Sequence, residues 1–206
     1  NNVYKSVDYM PSGEFFLAGY KLISFYLGID SSAFMKTDPE GTPLWEKKYD
    51  LSEFKEEMTS GIFTSDSFFV AVGSDYIDGT DETGADLVVI KLDENGDSLW
   101  TKRFGGDYHE YSETIIETFN GNYLISGYTK SYGEGDADAW LLLIDSNGDS
   151  LWSNTYGTVG VDKAYSVVQA SDGSFVFCGQ WNSMPLIAKT NYAEIILSAE
   201  NNITPE

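Results

Sequence analysis

Asp93-Glu94-Asn95-Gly96-Asp97-Ser98-Leu99-Trp100 and Asp145-Ser146-Asn147-Gly148-Asp149-Ser150-Leu151-Trp152 are nearly the same phrase written twice, 52 residues apart. A third copy, Asp38-Pro39-Glu40-Gly41-Thr42-Pro43-Leu44-Trp45, keeps Asp, Gly, Leu and Trp at identical internal spacing. Four residues beyond each Trp stands another aromatic: Tyr49, Phe104, Tyr156. A second mark recurs upstream as Phe15-Phe16-Leu17-Ala18-Gly19, Phe69-Val70-Ala71-Val72-Gly73, Tyr123-Leu124-Ile125-Ser126-Gly127 and Phe175-Val176-Phe177-Cys178-Gly179, with glycines 54, 54 and 52 residues apart. Self-similarity at a fixed period of this size marks a repeat architecture. Four units, 1–50, 51–105, 106–158 and 159–200, fill the 206 residues and leave no room for a second domain. Residues 201–206 read as a C-terminal linker.

Within a unit, four short apolar runs alternate with turn chemistry. Asn120-Gly121, Asn147-Gly148, Asn95-Gly96 and Asp172-Gly173 sit between such runs, and these dipeptides suit two-residue hairpins needing positive φ at both central positions. The second and third runs are apolar at consecutive positions, as in Leu87-Val88-Val89-Ile90, so these strands are expected to be covered on both faces. Helical spacing is nearly absent, residues 51–58 being the one short candidate. Four-stranded antiparallel units covered on both faces predict an all-β protein, a β-propeller of four blades. Trp45, Trp100 and Trp152 are the expected clamps between blades, because a buried indole removes a large apolar area from water. Leu99 points away from Trp100, so each side of the strand is expected to meet a different blade. The fourth unit departs: its stretch after Gly179 is short, and Ile195-Ile196-Leu197 replaces the Leu-Trp strand. The chain closes as four blades or forms an arc of a larger ring.

Composition narrows the partners. Lys and Arg number 12 against 33 Asp and Glu, a formal charge of -21, so phosphate backbones and anionic membranes are repelled. No nucleic-acid partner and no membrane insertion are expected, since no run nears the ~18 apolar residues a span requires. One cysteine excludes an intrachain disulfide; Cys178, in an apolar run, reads as a small buried hydrophobe. Asn1-Asn2-Val3-Tyr4-Lys5 looks like the run-in to a strand rather than a signal peptide.

The pattern aromatic-Leu-Ile-x-Gly-Tyr, Gly-x-Gly-x-x-Asp-x-Trp, then Asp-x-Asn-Gly-Asp-x-Leu-Trp-x-x-x-Tyr-Gly, best seen over residues 123–157, resembles the blade repeats of secreted Bacteroidetes-type propeller proteins. Such repeats often precede a sorting domain for type IX secretion, and Asn201-Asn202-Ile203-Thr204-Pro205-Glu206 is similar to the linker before one. The resemblance implies a bacterial protein that is secreted or held at the cell surface.

In a propeller, the loops joining strand two to three and blade to blade open on one face. Residues 21–32, 75–86 and 129–139, with 50–57, 105–113 and 157–163, place Tyr26, Tyr76, Tyr108, His109 and Tyr132 there beside many carboxylates, and Trp181 is assigned to the same face. These aromatics, Tyr26 apart, are the ligand-binding candidates, at the mouth of the axis. Glu134, Asp136 and Asp138 could supply oxygen ligands to calcium; the plainer reading is a solvated acidic loop. No other cofactor is implied. His109, the sole histidine, reads as a loop residue on an acidic surface, and no Gly-x-Ser-x-Gly elbow accompanies it. Without a convincing catalytic set, the expectation is a non-catalytic extracellular interaction or scaffold module for protein or glycan, alone or as one subunit of an extracellular assembly. The alternative is a carbohydrate-active enzyme or lectin-like domain using the long-loop face.

Overall fold

The structure, a computed structural model, describes residues 2–22, 30–51, 55–76 and 84–190. Every regular element among them is a strand. Blade one holds β1 (Asn2–Tyr9), β2 (Phe15–Leu22), β3 (Asp30–Thr37) and β4 (Pro43–Tyr49). Blade two holds β5 (Lys55–Phe63), β6 (Phe69–Tyr76), β7 (Ala85–Leu92) and β8 (Ser98–Phe104). Blade three holds β9 (Glu110–Glu117), β10 (Tyr123–Thr129), β11 (Asp138–Ile144) and β12 (Ser150–Tyr156). Blade four shows β13 (Asp162–Gln169), β14 (Phe175–Trp181) and β15 (Met184–Lys189). Each strand pairs antiparallel with the next in its blade, and one parallel pair, Asp30 with Lys55, links blades one and two. The expectation of a helix over residues 51–58 fails: 55–58 belong to β5, where Glu56 and Met58 are buried and Glu57 between them is less so, the period of a strand. Residues 52–54 lie outside the described residues, as do 201–206.

The hairpin turns differ from the expected two-residue kind. In residues 93–97 the Gly96 amide donates to the Asp93 carbonyl and the Asp93 amide to the Asp97 carbonyl. Only Gly96 has positive φ, 79°, and Asn95 does not. This is a type I turn closed by a left-handed glycine, and the Asp93 carboxylate steadies it by accepting from the Asn95 and Asp97 amides. Residues 38–42 and 145–149 repeat the pattern. The turn with positive φ at both central residues occurs in blade four, at Asn182 (46°) and Ser183 (69°). It joins β14 directly to β15 and replaces the long loop of the other blades.

Three apolar layers lie between successive blades. Phe16, Ala18 and Phe34 of blade one meet Met58, Phe69 and Ile90 of blade two; Val70, Val72 and Val89 meet Ile115, Tyr123 and Leu142; Leu124 and Leu141 meet Val167, Phe175 and Phe177. The tryptophans join these layers as clamps. The Trp45 indole N–H donates to the Glu94 carbonyl at 3.0 Å, and its ring meets Phe69 edge-on at 5.5 Å. On the same strand, Lys47 reaches Asp97 at 2.7 Å and the Tyr49 hydroxyl donates to the Gly96 carbonyl at 2.7 Å. Trp100 and Lys102 repeat the latch on the turn of blade three, with Lys102 2.9 Å from Asp149. A Cβ on Gly96 or Gly148 would lie 3.0 Å or 3.1 Å from the Trp45 or Trp100 ring. Trp152 is the most deeply buried of the three, packed toward Phe175.

Two expectations are corrected. Leu44, Leu99 and Leu151 are exposed rather than packed on a second blade: strand four is the outermost of its sheet, where blades splay apart and only its Trp face is covered. Cys178 is exposed, because it lies on the outward face of blade four. Among the described residues no strand of blade four packs closely on a strand of blade one, and Val7 on the free face of blade one is exposed.

Trp152→Ala is expected to cost ~3–5 kcal/mol, and Trp100→Ala, at a half-buried site, about 1–3 kcal/mol; denaturant titration measures both. Ser67 holds φ at 69° where the equivalent turns carry Gly13, Gly121 and Gly173, so Ser67→Gly should stabilise the chain by ~0.5–1 kcal/mol.

Candidate functional site: an axis-facing tyrosine cleft

The glycine shared by all four blades is a packing requirement. On Gly19, Gly73, Gly127 and Gly179 a Cβ would fall 2.0, 2.5, 1.9 and 1.9 Å from a backbone oxygen of the blade's first strand. That strand presses inward because it carries one extra residue opposite the glycine. The extra residues are Lys5, Thr59, Glu113 and Tyr165. A bulge leaves a residue out of the ladder and re-aims its side chain. The first strand is the innermost of a blade, so the bulges decorate the axis.

Lys5, Thr59 and Glu113 line one cavity of about 380 Å³, together with Glu57, Ser74, Tyr76, Tyr111, Ser112 and Tyr128. Tyr111 and Tyr128 also border a second cavity, about 470 Å³, with Lys130, Asp136 and Lys163. Both volumes suit a small ligand. Tyr111 stacks on Tyr128 at 4.8 Å, with Tyr76 edge-on at 6.3 Å and His109 stacked behind at 5.7 Å. Lys163 stands 4.0 Å over the Tyr128 ring, Lys5 pairs with Glu57 at 3.3 Å, and the Thr59 and Ser112 hydroxyls are 2.9 Å apart. Burial raises the Glu113 carboxyl above its usual range; the Lys163 charge opposes this and Glu57 adds to it. Burial also raises the Tyr128 hydroxyl, so it stays protonated and able to donate. The cleft thus combines aromatic faces with lysine donors, carboxylate acceptors and neutral hydroxyls.

Of the aromatics expected at the loop face, Tyr76 lines the cleft and His109 backs it. His109 is buried against Tyr111, with Nδ1 3.3 Å from the Tyr111 hydroxyl, which corrects its reading as a surface loop residue. Tyr132 lies elsewhere: its hydroxyl donates to the Gly105 carbonyl at 2.7 Å. There it borders a groove of about 410 Å³ between blades two and three, with Arg103 and Trp140. Tyr108 is exposed. Trp181 sits at the tip of the blade-four hairpin, paired with Met184 and Asp162. Tyr26 lies outside the described residues. Sequence reading missed Lys5, Glu57, Tyr111, Glu113, Tyr128 and Lys163. The surplus residue sits directly after each glycine's strand partner, and local alternation does not reveal it.

The acidic loops hold a second repeated construction. Asp86 and Asp138 occupy equivalent positions, each against the acid that opens the next blade's first strand, Glu110 and Asp162. The Asp162 carboxylate accepts from the Thr158 amide at 2.6 Å and the Asn182 amide at 2.7 Å; that of Glu110 accepts from the Gly106 amide at 3.0 Å and the Thr129 hydroxyl at 2.7 Å. Asp138 is buried, and burial first, then the Asp162 charge, pushes its carboxyl up to about 6. Glu134 and Asp136, its companions in the calcium expectation, are exposed. Among the described residues, no three acidic, His or Cys side chains gather as a metal-holding group.

No family model and no curated protein matches the chain. Solved structures do. A protein of unknown function from Dyadobacter fermentans superposes with TM-score 0.60 at 12% identity, over 93% of this chain and 63% of that one. One of unknown function from Bacteroides caccae gives TM-score 0.54 at 14% identity, over 94% and 62%. A mannose phosphorylase from Leishmania mexicana gives 0.53 at 8%, over 93% and 68%. The likeness is one of fold. The chain spans less than two thirds of the first two structures, both from Bacteroidetes.

Asp138→Asn should report on the buried carboxyl. Its folded pKa of about 6 lies above the 3.8 of a free Asp, so the folded state holds more protons between these values and stability falls as pH rises through that window. The variant should therefore be more stable than the parent by ~1–3 kcal/mol at pH 8 and little changed at pH 3; melting curves at both pH values measure it.

Proposed function

We propose that the chain is a non-catalytic interaction module of an exported bacterial protein, and that its axis-facing cleft takes a sugar or short glycan. One observation carries this reading: Tyr76, Tyr111 and Tyr128 converge on a cavity of about 380 Å³ that also presents Lys5, Glu57 and Glu113. A sugar offers an apolar C–H face and a rim of hydroxyls. Tyrosine rings suit the face, and charged and hydroxyl groups suit the rim. The repeat resemblance supports placement outside the cell, at its surface or after type IX secretion. A protein partner on the long-loop face remains compatible with the same module, since a propeller fold does not dictate function.

A second reading is carbohydrate turnover. Glu57 and Glu113 share the cavity, and the raised Glu113 carboxyl suits a proton donor across from a second carboxyl group. Isothermal titration against a panel of oligosaccharides, with product analysis of the same mixtures, separates the two. Binding without products is expected, and Tyr111→Ala should weaken it at least about tenfold, roughly 1.4 kcal/mol. No binding by any sugar, or a Tyr111→Ala variant that binds like the parent, removes the glycan reading. Products that vanish with Glu113→Gln would establish the enzyme instead.

A further inference from the structure

The four repeats serve as controls for one another, and by that standard blade one is half of an interface. Val7 is 63% exposed, whereas its equivalents Ile115 and Val167 are 1% and 2% exposed against the preceding blade. Phe15 and Leu17 are only partly buried; their equivalents Phe69 and Tyr123, and Ala71 and Ile125, are fully so. The latch tells the same story. The turns of blades two and three have Gly96 and Gly148 covered by Trp45 and Trp100, while the identical turn of blade one leaves Gly41 with open space where a Cβ would stand. That turn is preformed, with Gly41 at φ 86° and the same carboxylate-to-amide bonds.

We propose that this face and the turn at Gly41 are a socket for a further blade of the same repeat type, whose outermost strand lays a Trp over Gly41. The strand-four tryptophans of this chain are already committed: Trp45 and Trp100 to turns, Trp152 to the layer with Phe175. A second copy of the described blades therefore has no strand-four indole to offer. Charge refines the partner. Lys47 meets Asp97 and Lys102 meets Asp149, but the matching residue of blade one is Thr42. The incoming strand should carry an uncharged residue in the lysine's place, as Asn154 does two residues after Trp152. That the chain spans 62% and 63% of the Bacteroidetes structures it resembles leaves room for such blades in a ring of this kind.

The test places residues 51–109, blade two with the segment that follows it, directly before Asn2 of the full chain, in the register by which blade two precedes Glu110. The expected result is a single melting transition several degrees above that of the parent and an upfield ring-current shift of the Gly41 NMR signals. Replacing the added copy's Trp100 by Ala should return Gly41 to its original position. Thr42→Asp should raise the melting point further in the extended chain, where an added lysine faces it, and leave the parent unchanged. Val7→Glu should be tolerated by the parent and abolish the gain in the extended chain. Gly41 signals that stay in place while the added blade folds, or a Val7→Glu cost equal in both chains, overturn the proposal. A parent that sediments as a dimer through Val7 also overturns it, in favour of a second copy.

Discussion

An indole ring on the last strand of one blade, seated on the glycine of the next blade's turn, is the contact on which the rest of the molecule depends. A four-stranded sheet with two apolar faces is unstable in water by itself. Stacking removes both faces from solvent, but apolar contact is non-directional and sets neither angle nor register. The latch does. The Trp45 N–H bond to the Glu94 carbonyl and the Tyr49 bond to the Gly96 carbonyl fix where the outer strand lies on its neighbour. Glycine is required twice over at that turn, for its left-handed φ and for the ring pressed against it.

A second constraint connects the fold to the cleft. The one-residue bulge of each first strand makes the inner strand approach its neighbour so closely that only glycine fits opposite. The same bulge turns Lys5, Thr59 and Glu113 out of the ladder and toward the axis. Structural economy and ligand chemistry thus share one device, as bulges near functional sites often do. In a chain of charge -21, the cleft is also where Lys5, Lys130 and Lys163 gather, giving an acidic surface a mixed-charge centre.

The loop-face acids spend stability rather than add it. Burying Asp138 beside Asp162, and Asp86 beside Glu110, opposes ionisation of one member of each pair. The fold tolerates this because the partner acid is held by backbone amides of the crossing segment, which tie the start of one blade to the end of the last. Exposed ion pairs such as Lys189 with Asp172 contribute little by comparison.

The sequence by itself determined the repeat, the all-β class, the four-blade count and the clamp tryptophans, because each rests on residue identity at fixed spacing, and spacing along the chain is what a sequence records. Tyr76 was legible at the cleft for the same reason, lying just beyond a register mark. Tyr111, Tyr128, Glu113 and Lys163 were not, since a bulge shifts alternation by one residue and looks locally like any other strand. The turn type, the burial of His109 and the exposure of Cys178 belonged to tertiary structure alone. Each depends on which neighbour covers a face, and an exposed end blade and a buried middle blade are written in the same residues.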